Sequence, residues 1–232
     1  MNFDSVAGHF QWMEYAAFGR AMERCRYRHV ERLADARKVL LLGEGDGRFL
    51  SKLLEANPHA HIDCLDASFW MLNRSSQRIQ RERPGAMDRV NFIQADALMH
   101  DFSEATYDAL VTNFFLDCFG ADALERLVPR LIFATKPGAF WLLNDFQRPP
   151  HGLRGLRAAI WLKSMYAFFR YSAGMTTRTL TDPTQNLMDA GLQLAERATF
   201  SWDLMKSELW HIPVRNKTGH PVSRMAGQTI SP

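Results

Sequence analysis

A chain of 232 residues, 47% hydrophobic and 23% charged with a net charge of +3, has the make-up of a globular protein with ample core. No block of like charge advertises a nucleic-acid surface, and Cys25, Cys64 and Cys118 share neither a metal-ligand spacing nor a disulfide framework, which suggests reduced thiols in a cytoplasmic protein. The opening MNFDSVAGHF lacks the regions of a signal peptide, and the apolar stretch AAIWLKSMYAFF, interrupted by Lys163, falls short of the ~20 residues that span a bilayer.

Phe10, Met13, Tyr15, Phe18 and Met22 recur at three- and four-residue steps and predict a helical segment over residues 5–35. Arg20, Arg24, Arg26, Arg28 and Arg32 crowd it, with Glu23 and Glu31 between them, and read as a solvated face. KVLLLG is then a short, wholly apolar run of the kind buried on both faces of a parallel sheet. RFLSKLLEANP reads as a helix ended by Asn57 and Pro58, AHIDCLD as a second strand, and SFWMLNRSSQRIQRER as a helix. VNFIQAD and YDALVTNFF are the third and fourth strands. ADALERLVPRLIFAT is a helix interrupted or kinked at Pro129, and PGAFWLLNDF a turn leading into a fifth strand. This alternation with short connections predicts right-handed crossovers in an α/β, doubly wound, mostly parallel sheet.

After Pro149 and Pro150 the alternation breaks. An aromatic, helical insertion over 151–173 precedes a helix over 182–191, two strand-like runs, LQLAERATFSW and LMKSELWHI, and a polar, loosely ordered tail. A single domain accounts for all of it. Its parts are a helical cap over 1–36, a core over 37–146, the insertion over 151–181, a final helix and strands over 182–212, and the tail over 213–232.

In an open parallel sheet, ligands bind beyond the carboxyl ends of the strands at the switch point beside the first strand. The turn after Leu42 sits there, with Gly43, Gly45 and Gly47 at alternate positions and the acids Glu44 and Asp46 between them. A dinucleotide turn needs glycine at the sixth position for close helix packing, where this chain has Arg48.

The motif G-x-G-x-G after an apolar strand resembles that of class I S-adenosylmethionine-dependent methyltransferases. The resemblance continues in order over residues 37–146, through LDASFWML, QADAL, YDALVTNFF and KPGAFWLLNDF. It implies a Rossmann-like sheet, mostly parallel with an antiparallel C-terminal strand, plus a helical cap. It also implies S-adenosyl-L-methionine as cofactor and S-adenosyl-L-homocysteine as product, held by Gly43, Glu44, Gly45, Asp46 and Gly47. Asp66 with Ala67 would take the ribose hydroxyls, Asp96 with Ala97 the adenine, and Asn113 would face the methyl donor. The family often carries an acid two residues before the first glycine, where Leu41 stands here. Glu44 and Asp46 are the acids that could replace it. GEGDG also resembles aminopropyltransferases, but their aspartate cluster after the fourth strand is reduced here to Asp117.

Methyl transfer needs an aligned nucleophile and, where a proton must leave, a base. His9, Glu14, Tyr15, Asp117, Asp145 and His151 are the base candidates, and the sequence does not choose among them. No metal is implied, and His59 and His61, alternating along one strand face, read as structural. Phe114, Phe115, Trp161 and Tyr166, with Phe168 and Phe169, suggest an apolar cap and a small, hydrophobic or aromatic acceptor. The run Asn113-Phe114-Phe115-Leu116 lacks the prolines of amino-methyltransferases that grip a flipped base. The layout is similar to ubiquinone and menaquinone C-methyltransferases and to small-molecule O-methyltransferases. The alternatives are a catalytically silent methyltransferase-like module and an RNA methyltransferase with Arg20, Arg24 and Arg28 lining its cleft. The cap aromatics would also suit a homodimer interface.

Overall fold

The computed structural model describes residues 20–147 and 181–214. Helix α1 (Ala21–Tyr27) and a 3-10 turn (Val30–Leu33) lead into β1 (Lys38–Leu42), α2 (Arg48–Ala56), β2 (His61–Asp66), α3 (Phe69–Glu82) and β3 (Val90–Gln94). Then come β4 (Tyr107–Asn113), α4 (Ala121–Ala134), β5 (Thr135–Phe146), α5 (Thr184–Asp189), β6 (Gln193–Phe200) and β7 (Met205–His211). The seven strands lie in the order β3-β2-β1-β4-β5-β7-β6. β1 to β5 are mutually parallel, and β7 runs antiparallel between β5 and β6.

Strand side chains alternate between faces, so the apolar run of β1 feeds two cores at once. Leu40 and Leu42 join Leu110, Trp141, Leu143 and Trp210 beneath α4 and Leu187 of α5. Val39 and Leu41 join Val111, Leu142 and Leu209 beneath Phe49, Leu50 and Leu53 of α2 and Leu72 and Ile79 of α3. A third, smaller cluster sets Ala21, Met22 and Cys25 of α1 on Phe146, Leu204 and Met205, at the carboxyl edge of the sheet. Cys25, Cys64 and Cys118 are free thiols.

Several local expectations are corrected. The predicted helix over 5–35 is interrupted: α1 stops at Tyr27, and at His29 the backbone leaves the helical region with φ −118°. That departure buries the imidazole and brings its Nδ1 to 3.3 Å from Glu196 of β6. Arg26 is buried, not solvated, whereas Arg20, Arg24, Arg28 and Arg32 are exposed. The turn expected before β5 is absorbed into the strand, which opens at Thr135 and is accommodated by a register shift opposite Tyr107 and Ala109. The helix over 182–191 is shorter, Thr184–Asp189. His59 precedes β2, so it and His61 do not share a strand face. Residues 1–19, the insertion up to residue 180 and the tail from residue 215 lie outside the described residues.

Ser201, Trp202 and Asp203, which join β6 to β7, all have left-handed backbones (φ 51°, 58° and 67°), a conformation costly for non-glycine residues. Among the described residues no helix is long and apolar enough to cross a membrane.

Candidate cofactor site at the carboxyl edge

Chain reversal between β1 and α2 is achieved by the three glycines, each left-handed (φ +71°, +73° and +88°), which side chains other than glycine rarely tolerate. A Cβ at Gly43 would lie 2.6 Å from Cβ of Phe115 and 2.8 Å from the Asn113 carbonyl oxygen, so the loop is pressed against the end of β4. At Gly47 it would lie 2.9 Å from Cα of Ser75, which fixes α2 against α3. At Gly45 it would meet nothing within 4 Å among the described residues. The middle of the loop is the part that leaves room for a ligand.

The two acids of the loop have different environments. Asp46 is held inside the protein by Arg48 (Nε to Oδ1, 2.8 Å) and Arg78 (Nη2 to Oδ2, 3.1 Å), and Arg78 Nε also donates to its carbonyl. Burial pushes against its charge, but the two guanidiniums hold its carboxyl below the usual range. Glu44 is 3% exposed and accepts from the Leu50 backbone N–H at 3.0 Å through Oε1, while Oε2 has no hydrogen-bond partner among the described residues. Leu50 is in the first turn of α2, so a carboxyl already caps the helix end where a pyrophosphate would have to sit. Burial pushes the Glu44 pKa up to about 8, against the Leu50 N–H and the nearby Arg26 charge.

Asp66 ends β2, half-buried, its Oδ1 accepting from the Ser68 N–H at 2.9 Å. Ser68 in turn caps α3 through the Met71 N–H, and Ala67 between them is exposed. Asp96 is exposed beyond β3 and accepts from the Leu98 N–H at 2.9 Å. The loop that follows it is pinned by Arg130 of α4, whose guanidinium donates to the carbonyls of Ala97, Leu98 and His100. Phe69, Trp70 and Met99 are exposed just beyond these acids.

At the ends of β4 and β5, Asn113 and Asn144 face each other in register, with Asn144 Nδ2 donating to Asn113 Oδ1 at 2.7 Å. Ser207 of β7 extends the row. Asn113 Nδ2, Asn144 Oδ1 and Ser207 Oγ are buried without hydrogen-bond partners among the described residues. Phe114 has a left-handed backbone (φ +49°) and packs on Phe146 at 4.8 Å, and Phe115 meets Phe119 edge-on at 5.1 Å. Both Asp117 and Asp145 are buried. Burial, then the neighbouring Asp117 charge, drives the Asp145 pKa well up, opposed by Lys206. Arg26, 5% exposed, reaches this edge from α1 with Cζ 5.2 Å from the centre of the Phe114 ring. The remaining base and pocket candidates, His9, Glu14, Tyr15, His151, Trp161, Tyr166, Phe168 and Phe169, lie outside the described residues.

A methyltransferase-domain family model matches residues 40–141, from within β1 to within β5. The ubiquinone/menaquinone biosynthesis C-methyltransferase UbiE of Pasteurella multocida is 28% identical over 155 residues, 63% of this chain and 54% of that protein. The chain therefore spans about half the length of that curated relative. The N-methyltransferase NodS from Bradyrhizobium japonicum, solved with S-adenosyl-L-homocysteine, shares the fold with a TM-score of 0.59 at 17% identity, covering 83% of this chain and 88% of its own. The mitomycin 7-O-methyltransferase MmcR reaches a TM-score of 0.64 at 14% identity over 91% of this chain and 61% of its own. Residues 40–141 are thus similar to a methyltransferase domain, and the sheet around them has the fold of solved methyltransferases.

Within that fold Leu41 is fully buried, paired with Cys64 and Val111 and covered by the α2 and α3 core. It contributes nothing to the edge. The open face at Gly45 and Glu44 Oε2, without a partner among the described residues, fit S-adenosyl-L-methionine, a cationic nucleoside without phosphate. Sequence reasoning missed Arg26, although helix geometry carried a signal. Arg20, Arg24 and Arg28 share one face at four-residue spacing, while Arg26 points the other way, with Met22 and Cys25.

Proposed function

We propose that the protein is an S-adenosyl-L-methionine-dependent methyltransferase that methylates carbon or oxygen of a small, largely apolar or aromatic acceptor in the cytoplasm. The observation that carries this reading is the left-handed loop at Gly43–Gly47, open only at Gly45 and followed by Asp66 at the end of the adjacent strand. The cofactor supplies a methyl group on a sulfonium, ready for in-line displacement. Asp66 accepts the ribose hydroxyls, a task suited to a carboxylate with two oxygens, and Asp96 accepts the adenine amino group. The Phe114 and Phe115 rings line the acceptor side. Asp117 and Asp145, a buried acid pair at this edge, are the candidate bases among the described residues. The relatives' names, a quinone C-methyltransferase and a mitomycin O-methyltransferase, support a small-molecule acceptor.

Calorimetry with S-adenosyl-L-methionine and S-adenosyl-L-homocysteine tests the reading. Intact protein binds both, and Asp66→Ala weakens them by about tenfold or more, the worth of a charged hydrogen bond. No binding by intact protein, or unchanged binding by Asp66→Ala, would sink it. Leu41 in the core is the observation that favours a catalytically silent module, and the same titration of intact protein separates the two readings.

A further inference from the structure

Two departures from regular structure meet at one contact on the flank of the sheet. The backbone leaves the helical region at His29, just past the end of α1, and the residue turns inward until it is 4% exposed. Across from it, β6 carries one extra residue: Leu194 pairs with Trp210, but Glu196, not Ala195, pairs with Leu209. That bulge puts Glu196 on the face of Leu209, which Val30 and Leu33 share. A regular strand would turn the same side chain to the opposite face. There one Glu196 oxygen lies 3.3 Å from His29 Nδ1 and the other 3.0 Å from Arg32 Nε. The contact ties down the end of α1, whose Ala21, Met22 and Cys25 pack on Phe146 and Met205 and so wall the carboxyl edge.

We propose that His29 is a proton-operated latch on α1: its neutral imidazole holds the helix against β6 and β7, and protonation loosens that wall of the carboxyl edge. The latch stands whether or not the edge holds a cofactor. The groups facing the ring are Arg28 and Arg32 from its own segment, Glu196 from β6 and the Ser207 carbonyl from β7. Protonation puts a charge in a dry site already flanked by two guanidiniums. Burial outweighs the attraction of Glu196 and holds the imidazole pKa below its ordinary 6.5. The folded chain thus binds this proton less tightly than the unfolded one. The latch is at full strength above about 6.5 and weakens as the pH falls below it. Glu44 works in the opposite sense, since its raised pKa strengthens the whole fold toward acid, so a readout confined to α1 isolates His29.

Hydrogen exchange on the full chain tests it, read at the amides of α1 and, as a control, of β1, with rates corrected for the intrinsic effect of pH. Between about pH 7.5 and about pH 5.5 the wild-type α1 amides lose protection by about threefold or more, while those of β1 do not. His29→Gln keeps a neutral donor for Glu196, and α1 is then equally protected at both pH values; its melting temperature at the higher pH checks that it is folded. Glu196→Gln removes the charge that favours the proton, so acid loosens α1 by a larger factor than in wild type. Wild-type α1 protection that is unchanged or raised in acid overturns the latch. So does an acid loss as large in His29→Gln as in wild type, or a smaller one in Glu196→Gln.

Discussion

A methyl group at Gly47 would sit 2.9 Å from the Ser75 backbone, whereas at Gly45 it would meet only open space. Both residues are left-handed, so alanine costs about 1–2 kcal/mol at either position from backbone strain alone. Gly47→Ala adds a clash with a backbone that cannot yield, and its melting temperature falls well below that of Gly45→Ala. Gly45→Ala stays folded and loses cofactor affinity, seen by calorimetry. Glu44 gives a pH signature. Its carboxyl binds a proton more tightly in the folded protein (about 8) than in the unfolded chain, where a glutamate ionises near its ordinary 4.5. Stability therefore falls as pH rises from about 4.5 to 8, by roughly 1.4 kcal/mol per unit at most, because the unfolded state gains from ionising first. Chemical denaturation across that range shows the decline, and Glu44→Gln flattens it.

Among the elements, α4 does more than cover the sheet. Arg130 donates to the loop carbonyls of Ala97, Leu98 and His100 beyond β3 and so shapes the turn that displays Asp96. Arg130→Met leaves those acceptors without their charged donor and costs about 2–3 kcal/mol in denaturant titration. It also weakens adenosine binding, since Asp96 is carried on the loosened loop. The alternating strands and helices from Lys38 to Phe146 were legible because each apolar run was bounded by a turn signal and feeds a core on each face. The glycine loop was legible for the same local reason. Arg26 was harder to place, since a count of arginines hides which face each one occupies. The separate fates of Glu44 and Asp46 depend on Leu50 and Arg78, the latter 32 residues away from Asp46 in sequence, and no local pattern encodes that.

At the level of the whole molecule, the arrangement least visible in the sequence is the placement of β7 inside the sheet. Met205, Ser207 and Leu209 alternate with Lys206 and Glu208, the pattern of a strand with one wet face, yet both faces are buried. Lys206 compensates by pairing with Asp182 (2.9 Å), Thr184 (2.8 Å) and Glu208 (3.3 Å), and Glu208 also meets Arg197 and the Trp210 indole N–H. Lys206→Ala leaves the buried Glu208 to Arg197 and the Trp210 indole and the exposed Asp182 without its ammonium, and lowers stability by about 1–3 kcal/mol in urea titration, whereas a loss well below about 1 kcal/mol would show the network to be inert.

The position of β7 also sets an order of events during synthesis. β5 is complete at Phe146, but the strand that covers its outer edge begins only at Met205. β6 emerges first and cannot pair with β5, because its own partner is also β7. Until the ribosome has released that strand, the edge of β5 over Phe140–Phe146 stands open to any other nascent chain. Cells starved of translation capacity, or a message cut short before Met205, would leave this protein among the aggregates.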